Sequence, residues 1–387
     1  MGMGKGAYLK KITDGVHRWR TIEVGETLEG SSPPSVFIGK SGYPKVYAGP
    51  MLSMDPGDSF VMDAPEQWIP GNMKQEDIIR FRLDLVRGKQ LVGIKETDNR
   101  LVKKLQEISL AAESVESEAK FRHKPRGFSF DEEHTPFGPS AGLERFDIGN
   151  VRWDRHLQKA HYDTDFKAAD AIAEVYEEGV LFSQIQKALS TGSLGLGRNR
   201  KLVPTRWSIT AVDTTLANHL YERVIYNELI DSYRVHEFSS LNNYYAVILT
   251  PTPWQYEWIE AFIHILGKEE MVFGDHEHER GKSGYSSVGG CYYSCKFAVL
   301  EALERMGKQA GAIVLREAYE GYVPLGVFNV RENVRNAMRQ PHHEFGSFRS
   351  ALNFVSARLR LPISRFVEQG VLLREMLSHR QTTLAEA

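Results

Sequence analysis

The chain has 387 residues, of which 42% are hydrophobic and 25% are charged. This is the ordinary balance of a soluble globular protein, and it excludes the disordered and fibrous classes. The length exceeds the usual size of a single core and predicts two or three packed units. Because the formal net charge is only -2, a nucleic-acid surface has to be a local patch rather than a property of the whole chain.

The chain contains two cysteines, Cys291 and Cys295. Two cysteines exclude a disulfide framework and an all-cysteine zinc site within one chain. In a helix they would lie one turn apart and pack as small apolar groups. The longest apolar runs, such as residues 246–249 and 312–315, are too short to cross a bilayer, and no basic-then-apolar signal precedes them. We expect a cytoplasmic protein with no membrane partner.

The first part of the chain predicts a few short elements separated by loops. Residues 1–30 combine glycine and charge with few apolar side chains, which predicts a flexible N-terminal segment. Residues 36–38 and 45–47 predict a β-hairpin, and residues 75–87 predict a short surface helix. Between residues 111 and 150 aliphatic side chains become rare and three prolines interrupt regular structure, which predicts a long loop or a boundary.

Two consecutive helices are predicted next. Residues 165–178 show one apolar helical face and end at Gly179. A second helix begins near Ser183, which forms a capping-box pattern with Gln186. The pair over residues 165–190 resembles a helix-turn-helix, whose second helix could enter a DNA groove. Any helical hairpin inside a core has the same pattern, and we favour that simpler interpretation.

The second part of the chain alternates strand and helix signals. Residues 207–211 predict a strand, after which Asp213 or Thr214 would cap a helix. The apolar segment at 254–266 is expected to be buried, whether helical or extended. The remaining predicted elements are strands at 244–249, 312–315 and 326–330 and helices at 293–306 and 332–338. Together these signals predict an α+β fold in which mixed sheets pack against helices.

Residues 202–213 (LVPTRWSITAVD) resemble the signature block of the archaeal Nre family. Further similar blocks stand at residues 34–39 (PSVFIG), 43–44, 190–195 (STGSLG), 298–301, 307–310, 324–328 (PLGVF) and 330–336 (VRENVRN). The resemblance runs in order from about residue 31 to residue 338. It implies a role in DNA repair, an Nre N-terminal region over 31–285 and an Nre C-terminal region over 286–376.

The resemblance also implies a partner, because family members commonly end in a peptide that binds the PCNA sliding clamp. The peptide has the form Q-x-x-L-x-x-aromatic-aromatic, and its aromatic side chains fill a hydrophobic pocket. In the tail, residues 377–387, Gln381 and Leu384 have this spacing, but Ala387 stands at the first aromatic position. We therefore expect an altered or weakened clamp-binding peptide in a flexible tail.

Some family members carry a cysteine cluster near the N-terminus that looks like a zinc site. Here no cysteine precedes Cys291, so we predict no metal there. The run Asp-His-Glu-His-Glu at residues 275–279 also offers metal ligands, since His276 and His278 would share one side of an extended strand. Acidic, histidine-containing loops are commonly just solvent-exposed, and we assign no metal. The residues do not indicate a cofactor.

A basic cluster precedes the signature block. Between Gly195 and Trp207 there is no acidic residue and there are four cations, Arg198, Arg200, Lys201 and Arg206. Glycines let a backbone approach closely, cations neutralise phosphate oxygens, and Trp207 could stack on a base. The alternative is a solvated basic loop with Trp207 in the core. The residues leave both interpretations open.

A second basic region spans residues 331–365, where seven arginines face two acids. Arg331 and Arg335 are four residues apart and would project from one helix face towards a phosphate or a carboxylate. Combined with the first cluster, they predict one anion-binding surface of a DNA-binding repair factor. The alternative is ion pairing within the chain.

Two other functions remain open at this point. An enzyme acting on a nucleotide or on damaged nucleic acid would need Arg206, Asp213, Arg331 and Glu332 to converge in one pocket. Asp213 would be a general base or a metal ligand beside Arg206, but a helix cap explains it without anything unusual, and we favour the cap. A non-catalytic adaptor that links the clamp to another repair protein is the third interpretation.

Overall fold

The computed structural model describes residues 4–14, 19–279 and 281–378. Within these ranges the strands are β1 (Thr27–Ser32), β2 (Val36–Ile38), β3 (Lys45–Leu52), β4 (Val86–Gly93), β5 (Val115–Phe121), β6 (Ser140–Ile148), β7 (Glu228–Leu229), β8 (Tyr233–Ser240), β9 (Asn243–Thr250), β10 (Tyr256–Ile263), β11 (Glu270–Glu277), β12 (Lys308–Gln309), β13 (Gly311–Ala318) and β14 (His343–Phe345). The helices are α1 (Lys5–Asp14), α2 (Pro65–Trp68), α3 (Gln75–Leu83), α4 (Arg100–Ser109), α5 (Arg155–Tyr162), α6 (Ala168–Glu177), α7 (Phe182–Ser190), α8 (Thr205–Val224), α9 (Gly290–Met306), α10 (Phe328–Ala337), α11 (Phe348–Ser356), α12 (Ile363–Gln369) and α13 (Leu372–Ser378). The α+β fold class predicted from the sequence is confirmed.

The chain forms two compact units, and each is built from more than one stretch of sequence. The first unit contains residues 19–216 and 324–328 of the described chain. The second unit contains the described residues of 1–15, 217–323 and 329–387. The limits proposed from the sequence, 31–285 and 286–376, therefore describe the order of the chain and do not coincide with these units.

The first unit is built on a six-stranded sheet with the order β1-β5-β6-β4-β3-β2. Neighbouring strands are antiparallel except β4 and β6, which are parallel. The β2–β3 hairpin predicted from the sequence is present. Helix α4 covers the sheet with Val102 and Leu105, which are fully buried in the main apolar core of this unit.

The segment at residues 111–150, which we expected to be a long loop or boundary, contains strands β5 and β6. In β5 the buried positions alternate strictly, but they are occupied by Val115, Ser117, Ala119 and Phe121. Two of these four side chains are small or polar, so the alternation carries little hydrophobic signal. The strand is held instead by ladders to β1 and β6.

The helical pair at residues 165–190 is present as α6 and α7. All nine residues of α7 are buried, so this helix has no free face to place in a DNA groove. The capping box predicted at Ser183 is wrong, because the N-cap is Leu181. The carboxylate of Glu66 caps the helix instead, accepting hydrogen bonds from Ser183 N at 2.7 Å and Ser183 Oγ at 3.0 Å.

Two strands predicted near the signature blocks are wrong. Residues 207–211 belong to the twenty-residue helix α8. Buried residues recur every four positions along it at Ser208, Val212, Leu216 and Leu220, a helical period that the five-residue window did not capture. Residues 324–327 have no regular structure, and α10 begins at Phe328.

The second unit is built on another six-stranded sheet with the order β11-β10-β13-β9-β8-β14. The neighbouring strands β10 and β13 are parallel, and the other pairs are antiparallel. Strands β9, β10 and β13 are buried along their whole length. Helices α11 to α13 pack against one face, and α1 packs against the other through Tyr8 and Leu9.

Helix α1 lies within the segment that the sequence predicted to be flexible, and it carries a buried charge. Lys5 Nζ is 2.5 Å from Glu260 Oε1, and Arg316 Nη1 is 2.8 Å from Glu260 Oε2. All three side chains are almost completely buried. This buried ion network fixes the position of α1 on the sheet. The sequence did not indicate a packed helix here, because residues 1–30 contain few apolar side chains.

Among the described residues, no helix combines the length and the apolar character needed to cross a bilayer.

Candidate nucleic-acid interface

The basic loop, residues 195–201, lies between α7 and α8 in the first unit. Gly192, three residues before the loop, has a φ of 73°. A Cβ at this position would lie 2.8 Å from the carbonyl oxygen of Lys201. Only glycine permits both the conformation and the close approach, so the start and the end of the loop are held together.

Arg200 stabilises the basic loop from within. Its guanidinium donates to the carbonyl oxygens of Gly195, His161 and Asp163 at 2.7, 2.7 and 2.9 Å. All three nitrogens are therefore engaged, and they tie the loop to the end of α5. The predicted contact of Arg200 with phosphate is not tested by these bonds, which show that its guanidinium stabilises the fold.

The other two cations of the basic loop face solvent. Arg198 and Lys201 are exposed, and neither forms an ion pair with any residue of the described ranges. The loop lies beside a ring cluster of Trp153, His161 and Tyr162, whose centroids are 5.6–5.9 Å apart. Tyr162 is 67% exposed. The basic loop therefore carries two exposed cations and is bonded through Arg200 to the end of α5, which bears the exposed Tyr162.

Beyond the basic loop, residues 202–207 run across the ends of the strands. Leu202 N donates to the Ile94 carbonyl at 2.8 Å, and Ile38 N donates to Thr205 Oγ1 at 2.9 Å. These bonds fix the first turn of α8 against the β2–β3 hairpin. Trp207 is 45% exposed as a result, so the alternative that placed it in the core does not hold.

Trp207 lies against the tip of the hairpin. Its ring centroid is 5.1 Å from that of Tyr43, which is also partly exposed. On the adjoining sheet, Tyr47 of β3 is paired with Leu91 of β4, and both side chains are exposed. We call Tyr43, Tyr47 and Trp207 the aromatic face. Leu91 extends it as an apolar neighbour.

Cations border the aromatic face on the sheet. Lys45 is on the same side of β3 as Tyr47 and is exposed. Lys89 Nζ lies 5.8 Å from the centre of the Tyr47 ring. Partial burial and the nearby charge of Arg87 lower the pKa of Lys89.

Arg206 is paired inside the protein. Its guanidinium forms two hydrogen bonds with the carboxylate of Glu133, which is almost completely buried. The charge of Arg206 is therefore compensated. It fixes the helix that carries Trp207, and its predicted contact with phosphate remains untested.

The arginines of α10 are not part of an exposed anion-binding surface. Arg335 forms bonds of 2.7 Å with both carboxylate oxygens of Glu301 and one of 2.9 Å with Glu332. Arg331 is 3% exposed, and its Nη2 donates to Ser294 Oγ. The alternative of ion pairing within the chain is the one that the structure shows for Arg335, because a buried guanidinium needs a carboxylate partner.

The catalytic candidates are buried or already engaged. Asp213 lies in the middle of α8, so it caps nothing, and it is completely buried. Glu332 is buried and bonded to Arg335. Arg206 is held by Glu133, and Arg331 is buried. In the described structure none of the four predicted residues presents an unengaged group to a substrate.

Sequence analysis missed Tyr43, Tyr47 and Lys89 as members of the candidate interface. One signal was present, because strand alternation puts Lys45 and Tyr47 on the side opposite buried Val46. The proximity of Trp207 to Tyr43 has no sequence signal, since it depends on contacts between residues far apart in the chain.

An α+β protein with an exposed aromatic and basic surface is the class that these features define. Two family models match the chain: one described as Archaeal Nre, N-terminal, over residues 6–265, and one described as Archaeal Nre, C-terminal, over residues 277–386. The chain belongs to the archaeal Nre family.

Three curated relatives are similar along nearly their whole length. DNA repair protein NreB of Archaeoglobus fulgidus is 39% identical over 373 residues, which cover 94% of this chain and 93% of the relative. DNA repair protein NreA of the same organism is 33% identical, with 88% and 87% covered. DNA repair protein NreA of Haloferax volcanii is 30% identical, with 90% and 86% covered. No solved structure matches the chain.

Proposed function

We propose that this protein is a DNA repair factor that binds DNA with unpaired bases through the aromatic face and the basic loop. The names of its relatives support the repair role. The observation that carries the binding role is the exposed Trp207–Tyr43 pair, together with the exposed cations Arg198 and Lys201 of the basic loop that precedes Trp207 in the chain.

Physical chemistry favours unpaired over paired DNA at this surface. Exposed rings can stack only on bases whose faces are accessible, and each stacked base contributes about 1–3 kcal/mol. Arg198, Lys201 and Lys45 supply charge for the phosphates without needing to break an internal ion pair. The arrangement contains no helix presented to a groove, so sequence-specific recognition of a duplex is not expected.

The stacking role is tested with Trp207→Ala and a fluorescently labelled single-stranded oligonucleotide, followed by fluorescence anisotropy. We expect binding to weaken by about 5- to 150-fold, which corresponds to the loss of one stacked base. Tyr226→Ala is the matched control, because Tyr226 is 84% exposed but belongs to the second unit. Equal affinity of Trp207→Ala and the unmodified protein would remove the aromatic face from the proposal.

The electrostatic role is tested with the double variant Arg198→Ala, Lys201→Ala. Each phosphate contact with a single strand contributes about 0.7 to the slope of log affinity against log salt, so we expect the slope to fall by about 1.4. Lys268→Ala, Arg305→Ala is the control, since both of these cations are exposed in the second unit. An unchanged slope would show that the basic loop does not contact phosphate.

The two alternative functions, an enzyme and a non-catalytic adaptor, have different requirements. An enzyme would require a pocket formed by groups other than the four predicted ones, because those are buried or engaged. A non-catalytic adaptor that links the clamp to another repair protein would not depend on the DNA contacts tested above. The clamp as partner rests on Gln381 and Leu384, which lie outside the described residues, and it remains a prediction.

A further inference from the structure

A further group of cations in the first unit lies in the segment that follows β5. We call residues 122–128 (RHKPRGF) the Arg122 segment. It contains no acidic residue, and Phe128 at its end is 38% exposed. Its basic side chains are exposed and form no ion pair with any carboxylate of the described residues: Arg122, His123, Lys124 and Arg126. The Arg122 segment therefore combines uncompensated positive charge with an accessible ring, as the proposed DNA-binding surface does.

The Arg122 segment is joined to the strands that lead to the aromatic face. Arg122 N donates to the Gly142 carbonyl at 2.9 Å, and Arg126 and Ser140 exchange backbone hydrogen bonds of 3.1 and 3.2 Å. Gly142 and Ser140 belong to β6, the neighbour of β4. On β4, Lys89 is the ladder partner of Gly142, and its Nζ donates to Ser140 Oγ at 3.3 Å. Because Lys89 also borders the Tyr47 ring, one short row of residues connects the segment to the aromatic face.

The connecting row lies on the outer face of the sheet, which is the face that α4 does not cover. Ala141 and Leu143 belong to the apolar core under α4, so alternation along β6 turns Gly142 outward. Since Gly142 has no side chain, Arg122 lies across it, with its Cδ 3.4 Å from the place that a Cβ would take. The side chain of Arg122 is therefore beside the strand that carries Lys89.

A buried arginine adds to the positive charge of the outer face. Arg87 is 8% exposed and lies two residues before Lys89 on β4, so both side chains are on the same face. Its Nη2 donates to the Tyr47 carbonyl at 3.0 Å, and its guanidinium lies 4.2 Å from the centre of the Phe37 ring. In the described part of the chain it has no carboxylate partner, although a buried guanidinium is normally paired. Arg87 and Lys89 therefore attract an anion to this face.

We propose that a single DNA strand bound at the aromatic face continues over the outer face to the Arg122 segment, which binds its phosphates and stacks one base on Phe128. This inference rests on the function proposed above and adds a second binding region to it. Three strand spacings of about 4.8 Å separate β3 from β5, roughly 14 Å in all. With stacked bases about 3.4 Å apart, this distance corresponds to about four nucleotides. A strand of only about four nucleotides therefore occupies one region, whereas a longer strand reaches both.

The test uses the full chain and labelled oligothymidines of about 4 and about 16 nucleotides, which span the usual range of site sizes, in fluorescence anisotropy. For the double variant Arg122→Ala, Arg126→Ala we expect the salt slope for the longer strand to fall by about 1.4, because two phosphate contacts are lost. Phe128→Ala should weaken binding of the longer strand by about 5- to 150-fold, as expected for one stacked base. The shorter strand should lose affinity only in Trp207→Ala, because the aromatic face offers it more rings.

Arg100→Ala, Lys103→Ala is the control, because both cations are exposed on α4, which covers the opposite face of the sheet. Circular dichroism checks that each variant is folded, as expected for exposed side chains. If Trp207→Ala weakens binding of the longer strand and the variants of the Arg122 segment do not, the second binding region is wrong and the proposed function stands. If the unmodified chain binds neither strand, the proposed function is wrong, and the second binding region is overturned with it.

Discussion

Asp63 is a buried carboxylate that pairs with two cations in the first unit. Its Oδ1 is 2.5 Å from Arg82 Nη1, and its Oδ2 is 2.8 Å from Lys187 Nζ. Burial alone would raise the pKa of Asp63, but the charges of Arg82 and Lys187 outweigh it and hold the pKa below its ordinary value. One negative charge thus compensates two buried cations from α3 and α7.

We predict that Asp63→Asn lowers the free energy of unfolding at pH 7 by about 3–5 kcal/mol, because both cations lose their partner. A lowered carboxyl pKa stabilises the fold above the pKa of the unfolded chain, about 3.9, and this contribution is lost as the pH falls through the folded value. The difference between the two proteins should therefore shrink below about pH 4.

Urea denaturation of Asp63→Asn at several pH values measures both effects. Asp165→Asn is the control, since Asp165 is exposed in the same unit. A pH-independent difference would show that the charge of Asp63 is not the cause of the stabilisation.

Single residues also mark the limit of inference from sequence. Arg198, Arg200 and Lys201 are nearly adjacent and chemically alike, yet only Arg200 donates to three backbone carbonyls. Which cation turns inward depends on the position of the end of α5, almost forty residues earlier in the chain. The composition indicated a basic loop. It could not show that Arg200 stabilises the fold while Arg198 and Lys201 face solvent.

At the scale of elements, the N-terminus of α7 depends on a side chain from another helix. Glu66 of α2 accepts both the backbone N–H and the hydroxyl of Ser183. We predict that Glu66→Ala lowers the free energy of unfolding by about 1–2 kcal/mol, the usual effect of losing a helix cap.

Thermal and urea unfolding compare this variant with Gln67→Ala, which removes the exposed neighbouring side chain on α2. Equal stability of the two variants would mean that solvent replaces the carboxylate of Glu66 without cost.

Elements were predictable where their apolar residues were large and regularly spaced. The helices near residues 165–190, the β2–β3 hairpin and α9 with its end at Gly307 all follow from such patterns. The misses have one physical cause, because β5 and the start of α8 are held by contacts with distant strands and helices. Local preference is weak there, and tertiary packing decides the structure.

At the scale of the whole molecule, the interface could be predicted in part. Its basic loop and Trp207 stand together in the sequence, whereas Tyr43 and Tyr47 come from a hairpin some 160 residues away, as the Ile38–Thr205 bond illustrates. The family and the α+β class were identified from the sequence. The burial of Arg331 and Arg335 was not, since a helix in which six of ten side chains are charged or amide is usually exposed.

The tail supplies a prediction about partners. If residues 381–387 are a weakened clamp peptide, Phe at Ala387 followed by one added Phe should strengthen binding to the sliding clamp of the source organism, because two aromatics would fill the empty pocket. Calorimetry on the two versions measures this. Binding by neither version would mean that the spacing of Gln381 and Leu384 is accidental.

Residues 324–328 return to the first unit after the chain has built most of the second. There the ring of Phe328 lies 4.9 Å from that of Trp68, and Gly326, with a φ of 92°, fits where a Cβ would be 2.6 Å from the backbone of His134. On the ribosome, these residues emerge more than a hundred positions after the last strand of their own sheet. Helix α1 is synthesised first, but Glu260 of β10, the partner of its Lys5, follows about 250 residues later. A nascent chain therefore carries two incomplete units at once. Each unit has to wait for residues that are synthesised long after its first residues.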